Sequence, residues 1–336
     1  MKKIIALVLG LALAVSLLAA CGQENTIGEA NAAASQDDGK LRIVTTIFPE
    51  YDWVREILGE QADRADLTML LDNGVDLHSY QPTADDIAKI ADCDLFLYVG
   101  GESDEWVDDA LKESANPNQK VIDLMDVLSE EIKEEEHVEG MEAEEEEPLS
   151  AEDEEEGPEY DEHVWLSLRN AETLCTAITN ALGELDPDHK DVYTANASTY
   201  LQKLDQLDQS YQQAVDSAAR KTVLFGDRFP FRYLVDDYGL TYYAAFAGCS
   251  AESEASFETV SFLAKKVDEL ALPCVLTIEG TQHKIAETIV QNTKKKDQKV
   301  LTMDSMQATT SDDVKAGTTY LSVMEKNLGV LKEALN

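Results

Sequence analysis

The sequence predicts an α/β protein with two parallel-sheet lobes joined by one long rigid helix. Strand-like and helix-like segments alternate from residue 41 towards the C-terminus, which is the pattern of parallel sheets covered by helices. The alternation is interrupted at His189–Ala219, a stretch without Gly or Pro that places apolar residues at helical spacing. A helix of this length between two α/β sets is expected to act as a strut.

The individual elements follow from apolar runs, helical periodicity and Gly or Pro stops. Strands are predicted at Leu41–Phe48, Leu67–Leu71, Leu95–Val99 and Val121–Leu124, then at Thr222–Phe225, Leu240–Phe246, Cys274–Ile278 and Lys299–Met303. Helices other than the strut are predicted at Tyr51–Leu58, Ala84–Ala91, around Trp106, and at Leu168–Leu182, Phe229–Asp237, Phe257–Leu270, His283–Lys294 and Val314–Leu335. This assigns residues 41–186 to an N-terminal lobe, 187–219 to the linking helix and 220–336 to a C-terminal lobe.

The first forty residues have the features of an export signal followed by a tether. Lys2 and Lys3 precede the apolar run Ile4–Leu18, which is too short for a comfortable membrane span. Leu18-Ala19-Ala20-Cys21 resembles the lipobox of bacterial lipoproteins, which implies a signal peptide over 1–20, lipidation of Cys21 and a flexible tether over 21–40. The alternative is an ordinary signal peptide with an incidental cysteine. We expect a lipid-anchored protein on the outer face of the bacterial cytoplasmic membrane, and the sequence does not show whether an outer membrane lies beyond it.

The net charge and the cysteines indicate which classes of ligand and which kinds of cysteine site are compatible with this sequence. The formal net charge of −40 excludes a nucleic-acid binder, which needs a basic face, and suits a protein that handles cations. The four cysteines after Cys21 form no CxxC pair and lie in apolar stretches, so they are expected to be small buried residues, with one disulfide left open: Cys93, Cys175, Cys249 and Cys274.

Residues 130–162 form a strongly acidic segment within the N-terminal lobe, with Lys133 as its single lysine. Such a run buries little apolar surface and is predicted to be a solvated, mobile spacer. We therefore expect deletion of Glu134–Glu156 to leave folding and ligand binding intact. A role in concentrating divalent cations is the alternative.

Two of the five histidines stand where a ligand site is expected. His78 follows the second predicted strand, and the carboxyl ends of parallel strands are where open α/β sheets bind ligands. His163 opens an ordered segment directly after the acidic run. Spacing alone does not bring these two histidines together.

A family resemblance does connect them. Residues 40–336 resemble the solute-binding proteins of zinc and manganese ABC importers, the ZnuA/TroA-like group. The most specific stretches are His78-Ser79-Tyr80-Gln81-Pro82-Thr83 and His163-Val164-Trp165-Leu166-Ser167. Other markers are Val44–Pro49, Ala91–Leu95, the long helix over Asn196–Leu207, Gly248–Ser256, Glu279 and Asp304.

The resemblance implies a monomeric receptor that holds Zn²⁺, or less favourably Mn²⁺, in a cleft between two lobes. It would deliver the ion to an ABC permease and its ATPase, with a lipid anchor in the membrane. It further implies that His78 and His163 supply ligands from the first lobe and Asp304 a ligand from the second. Imidazole nitrogen and carboxylate oxygen both suit Zn²⁺.

The chain departs from this family at the expected third ligand. Aligned on Tyr238-Gly239-Leu240, the position that carries His or Glu in the family is Arg228, and a guanidinium has no lone pair for a metal. Substitutes in the sequence are Asp227, Glu279, His283 and Cys249. We favour Asp227 or Glu279 from the sequence, and nothing in it decides between them.

Arg228 also permits other functions. A guanidinium in the cleft would accept an anionic ligand or a metal chelate, and a surface adhesin or metal buffer would need no permease. The mature chain carries no GxSxG, HExxH, P-loop or dinucleotide motif, so we expect no enzymatic activity.

Overall fold

The computed structural model describes residues 39–142, 159–250, 254–280 and 283–336. Within these residues, eight strands form two separate four-stranded sheets, and every strand pair is parallel. This confirms the predicted fold class of two parallel-sheet α/β lobes. The predicted signal peptide over 1–20, most of the tether over 21–40 and the lipidation site Cys21 lie outside the described residues.

The first lobe is built on a sheet with the strand order β2-β1-β3-β4. Its strands are β1 (Leu41–Thr45), β2 (Ala65–Met69), β3 (Leu95–Tyr98) and β4 (Lys120–Asp123). The helices of this lobe are α1 (Phe48–Leu58), α2 (Ala84–Asp92), α3 (Trp106–Lys112), α4 (Leu124–Leu128) and α5 (Leu168–Leu185). The order reverses between β1 and β3, and the short turns after β2 and β3 contact each other at the carboxyl edge of this sheet, which is where such sheets bind ligands.

The second lobe repeats this arrangement with the strand order β6-β5-β7-β8. Its strands are β5 (Thr222–Arg228), β6 (Thr241–Phe246), β7 (Cys274–Thr277) and β8 (Lys299–Thr302). Its helices are α7 (Arg232–Asp237), α8 (Phe257–Leu270), α9 (Lys284–Asn292), α10 (Ser311–Lys315) and α11 (Tyr320–Ala334). The central strand β5 shifts register between Phe225 and Arg228.

The predicted strut is α6 (Lys190–Ser217), which packs along α5 and also contacts α1 and α11. Helix α11 returns to the first lobe, where the Tyr320 amide donates a hydrogen bond to buried Asp52 and the Tyr320 ring packs edge-on against Trp53. The buried faces of α1, α6 and α11 therefore share one continuous apolar core. None of the described helices is both long and apolar enough to span a membrane.

All eight predicted strands are present, whereas one helix was missed and two helix predictions were wrong in detail. Helix α4 was not predicted because it follows β4 with no break in the apolar pattern. The predicted helix Val314–Leu335 is interrupted at Gly317, whose φ of 101° leaves helical geometry, and Thr319 then caps α11. The helix predicted from Phe229 begins only at Arg232.

The prediction that the acidic segment is a solvated spacer was wrong for the part of the segment that the structure describes. Residues 132–142, here called the strap, leave the first lobe and lie on the second. The Glu142 amide donates to the carbonyl of Ala245, and the Glu142 carboxylate accepts from Ser256 at the start of α8. Tyr242 donates to Glu136 at 3.1 Å. A solvated run would make no such contacts, so this acidic stretch is part of the fold.

Glu50, on α1, is a buried acid that should make stability depend on pH. It is fully buried and accepts hydrogen bonds from the amides of Thr46 and Ile47. Burial, followed by the charge of Asp104, raises the pKa of Glu50 from 4.5 to about 8. A pKa raised by folding gives stability that is complete below the unfolded value and is lost as pH rises through the folded value.

We therefore expect the substitution Glu50→Gln to remove the loss of stability that accompanies rising pH. Between pH 5 and pH 9, the free energy of unfolding of the unsubstituted protein should fall relative to that of the variant by on the order of 3 kcal/mol. Urea titrations of both proteins at the two pH values measure this difference. Identical pH dependence in the two proteins would contradict the assignment of a neutral, buried Glu50.

Candidate metal centre

His78 is held at the crevice of the first lobe by a short turn after β2. Asp76 caps this turn by accepting a hydrogen bond from the His78 amide at 3.1 Å. The imidazole is largely buried, and its Nδ1 lies 2.8 Å from Ser103 Oγ and 3.3 Å from Glu162 Oε2. Both contacts fix the ring so that Nε2 points away from them.

Glu162 can reach His78 because the backbone beside its carboxylate belongs to Gly101, which has no side chain. A Cβ at Gly101 would stand 2.5 Å from Glu162 Oε1, and the φ of Gly101 is 79°, a combination that glycine tolerates best. Burial alone would raise the pKa of Glu162, but hydrogen bonds from His78 and Ser103 outweigh it and lower the pKa. A charged carboxylate therefore faces Nδ1 of His78.

His163 is fully buried directly after the acidic segment. Asp161 Oδ1 accepts from the His163 amide at 2.9 Å and lies 3.0 Å from its Nδ1. Burial alone would lower the pKa of His163, but the charge and hydrogen bond of Asp161, together with Glu162 and Asp76, outweigh it and raise the pKa. As at His78, a carboxylate at Nδ1 leaves Nε2 as the outward-facing nitrogen.

The two histidines meet through these outward-facing nitrogens. Nε2 of His78 lies 3.2 Å from Nε2 of His163. Asp161 at Nδ1 of His163 favours the tautomer that carries the proton there, whereas Nδ1 of His78 has the Ser103 hydroxyl as its nearer partner and Glu162 as its second. At this separation one ring can donate an N–H···N hydrogen bond to the other, and a cation bound by both lone pairs would take the place of that proton. Carboxylate–histidine pairs of this kind orient metal ligands in proteins.

Cys249 is the third potential ligand in this cluster. Its Sγ and one nitrogen of each histidine all lie within 4.8 Å of one another. Backbone contact makes this possible, because a Cβ at Gly248 would stand 3.2 Å from His163 Cε1 and 3.0 Å from the Phe229 carbonyl. The Cys249 amide also donates to Glu135 in the strap at 3.0 Å. Burial, then Asp161 and Glu135, raises the pKa of the thiol well above its usual range.

The other three described cysteines are buried at a distance from this cluster, and no disulfide links any of the four. Among the described residues, the two histidines and Cys249 are the one group of three such ligands that approach this closely.

Arg228 occupies the position where the resemblance implies a third ligand, at the end of β5. Its Nη2 donates to Asp76 Oδ2 at 2.5 Å, so the pair joins the second lobe to the turn that carries His78. Burial alone would raise the pKa of Asp76, but the charge and hydrogen bond of Arg228 lower it. The guanidinium that an anionic ligand would need is therefore already paired with a carboxylate.

The carboxylates proposed as ligands lie elsewhere in the second lobe. Asp304 accepts from the Met306 amide, and Glu279 accepts from the amide and hydroxyl of Ser305. Burial raises the pKa of both, and the charge of Asp304 adds to the effect on Glu279. Asp227 accepts from the amide of Ile278. In the described part of the chain, none of these three carboxylates joins the histidine pair.

A cleft of about 880 Å³ opens beside the histidine pair, between the turn that carries His78 and the second lobe. Glu279, Asp227 and Arg228 line it, but Asp304 is not among its lining residues. Asp304 as a ligand therefore stays a prediction from the resemblance, as do Asp227 and Glu279 as substitutes.

Residues 43–334 match the family model described as zinc-uptake complex component A, periplasmic. The chain belongs to this family. That description is of an uptake component and not of an enzyme family.

Curated relatives and a solved structure support the assignment. The zinc-binding lipoprotein AdcA of Streptococcus pneumoniae is 32% identical over 302 residues, which is 89% of this chain but only 56% of AdcA. The chain thus spans about half the length of the AdcA relatives. The high-affinity zinc uptake system protein ZnuA of Bacillus subtilis is 33% identical, over 95% of this chain and 94% of the relative. The Zn(II)-bound ZnuA-like domain of S. pneumoniae AdcA superposes with a TM-score of 0.67 at 29% identity, covering 88% and 99% of the two chains.

Sequence reasoning predicted the two histidines that the structure brings together, but it gave less weight to three residues that lie beside them. Asp161 and Glu162 sit in the acidic run, whose composition indicated solvent rather than a role beside His78 and His163. Cys249 is far in sequence from both histidines. The one local indication for Cys249 was the preceding Gly248, because a residue without a side chain lets the backbone come close to neighbouring groups.

Proposed function

We propose that this chain captures Zn²⁺ outside the cytoplasm and acts as the solute-binding protein of an ABC importer. The observation that carries the proposal is the 3.2 Å approach of His78 Nε2 to His163 Nε2, with a carboxylate oxygen close to each Nδ1. This pair is oriented in advance for one cation. Membership of the zinc-uptake family supports zinc as that cation.

The chemistry of the pair favours zinc over the harder divalent ions. Imidazole nitrogen suits Zn²⁺, whereas Mg²⁺, Ca²⁺ and Mn²⁺ favour sites made mainly of oxygen. Capture needs little rearrangement, because Asp161 and Glu162 already hold the rings. The Zn(II)-bound relative superposes over most of this chain.

Delivery to a permease and its ATPase completes the proposed function. The apolar run before Cys21 supports export and lipid attachment, which would keep a monomeric receptor on the outer face of the cytoplasmic membrane. A tethered receptor stays at high effective concentration near its permease. Family membership supports the role in uptake.

Metal binding tests the capture step. The chain from Gly39 onwards, stripped with EDTA, should gain about 2.7 kcal/mol of unfolding free energy at a zinc concentration 100 times Kd. Mn²⁺ at the same concentration should stabilise it less. Thermal unfolding with Zn²⁺, Mn²⁺ and EDTA measures the effect, and equal unfolding temperatures in all three conditions would refute zinc capture.

Zinc uptake by cells tests the delivery step. Bacteria that lack the chain should accumulate less radioactive zinc from zinc-poor medium, and the complete chain should restore uptake. The matched variant Cys21→Ser, which cannot carry the lipid anchor, should restore uptake poorly. Normal accumulation without the chain would argue for a surface adhesin or metal buffer instead.

A further inference from the structure

We propose that the Cys249 thiolate is the third protein ligand of the captured ion, so that the site is a two-histidine, one-cysteine centre built from both lobes. This inference rests on the proposed function and specifies its donor set. His78 and His163 come from the first lobe, whereas Cys249 follows β6 of the second lobe.

The distances fit one tetrahedral ion. Two imidazole nitrogens bound to the same tetrahedral zinc lie about 3.3 Å apart, given Zn–N bonds of roughly 2.05 Å. The observed separation of the two Nε2 atoms is 3.2 Å. A thiolate bound to that ion would stand about 3.6 Å from each nitrogen, and Cys249 Sγ already lies within 4.8 Å of the ligand nitrogens. The two nitrogens therefore already stand at the separation of a tetrahedral site, and the thiol must approach them for the site to close.

The backbone around Cys249 is arranged to present it. A Cβ at Gly248 would lie 3.0 Å from the Phe229 carbonyl, 3.1 Å from Asp161 and 3.2 Å from His163, so a side chain there would push these groups apart. Glu135 in the strap accepts from the Cys249 amide at 3.0 Å. Cys249 is therefore positioned by the second lobe, which carries it, and by the strap, which starts in the first lobe.

Arg228 explains why a substitute ligand is required. Its guanidinium is committed to Asp76 and offers no lone pair. The carboxylates Asp227 and Glu279 accept hydrogen bonds from backbone amides of their own lobe. Of the substitutes that the structure describes, Cys249 alone has its ligand atom in the cluster with both histidines.

A thiolate gives this receptor a selectivity that oxygen ligands would not. Thiolate sulfur favours Zn²⁺ over Mn²⁺, Mg²⁺ and Ca²⁺. On binding, the thiol S–H bond breaks, a Zn–S bond forms and the thiol proton passes to solvent, as does any proton that an imidazole carries on Nε2, because both imidazoles bind through Nε2 as neutral ligands. The resulting excess positive charge is balanced by the nearby carboxylates Asp161 and Glu162.

Cobalt spectroscopy on the full chain, purified in detergent and stripped of metal, tests the inference. Co²⁺ should produce visible d–d absorption together with a near-ultraviolet thiolate-to-cobalt charge-transfer band. Cys249→Ser should lose the charge-transfer band, keep weaker d–d absorption and bind Zn²⁺ at least about 100-fold more weakly, because loss of a residue that only orients a ligand already costs 10- to 100-fold. Cys274→Ala is the matched control, since Cys274 is buried in β7 away from the cluster, and it should keep the band.

The outcomes separate this inference from the proposed function. Bound Co²⁺ with d–d absorption but no charge-transfer band in the unsubstituted chain would overturn the cysteine ligand and leave zinc capture standing. No bound Co²⁺ and no bound Zn²⁺ in that chain would overturn both. If the serine variant fails to fold, the spectrum of the unsubstituted chain still decides the question.

Discussion

Replacement of His163 by glutamine is expected to lower zinc affinity by about 100-fold or more. His163 supplies one of the two nitrogens that face each other at 3.2 Å, and loss of a partner that merely orients a ligand already costs 10- to 100-fold. Glutamine keeps a polar side chain of similar length beside Asp161. Competition titration with a zinc chelator of known affinity, at constant pH, measures the change.

A histidine outside the site provides the control for this experiment. His189 lies at the start of α6, where its Nδ1 pairs with Asp186 at 2.8 Å. His189→Gln should leave zinc affinity unchanged. Because His163 is fully buried, the unfolding temperature of each variant in EDTA must also be compared. Unchanged zinc affinity in a folded His163→Gln protein would show that the ion binds elsewhere.

Replacement of Glu134–Glu142 by a Gly-Ser linker of equal length is expected to destabilise the protein by about 3 kcal/mol. The change removes the hydrogen bonds that Glu135, Glu136 and Glu142 accept from the second lobe. Hydrogen bonds to charged groups contribute about 1.5–3 kcal/mol each to stability. In the variant, water will hydrogen-bond to the freed donors, so the total loss should be smaller than the sum of these contributions. It also removes Val138 and Met141, which pack against the core. Urea unfolding without metal measures the loss.

The control is a replacement of residues 143–156 by a linker of the same length, which leaves every one of these contacts in place. It should unfold at the same urea concentration as the unsubstituted chain. Zinc affinity should fall only in the Glu134–Glu142 replacement, because Glu135 holds the amide of Cys249. Equal stability of the two replacements would restore the interpretation of the whole acidic segment as a spacer.

The fold was predictable from the sequence because its signals are local. Each strand is a short apolar run, and the strut shows helical periodicity without a breaker, so the positions of β1 to β8 along the chain and the length of α6 follow from short windows. The break at Gly317 was missed because a glycine inside a helical pattern is often tolerated.

The site was only partly predictable because its contacts are not local. His78 and His163, which the structure brings together, were predicted through residue type and family resemblance, whereas the pairing of Arg228 with Asp76 depends on how the two lobes meet. The strap was misjudged for a related reason. Composition predicts that glutamates prefer water, but it does not reveal amides and tyrosine hydroxyls of another lobe that satisfy them.

The return of α11 to the first lobe has a consequence for how the protein folds. The hydrogen bond between the Tyr320 amide and Asp52 joins residues 268 positions apart, and the Tyr320 ring covers Trp53 in the core of α1. Such distant contacts close late and slow folding. The lobe whose strands are synthesised first therefore cannot complete its core until α11 has been made, so the two lobes should reach their native state together.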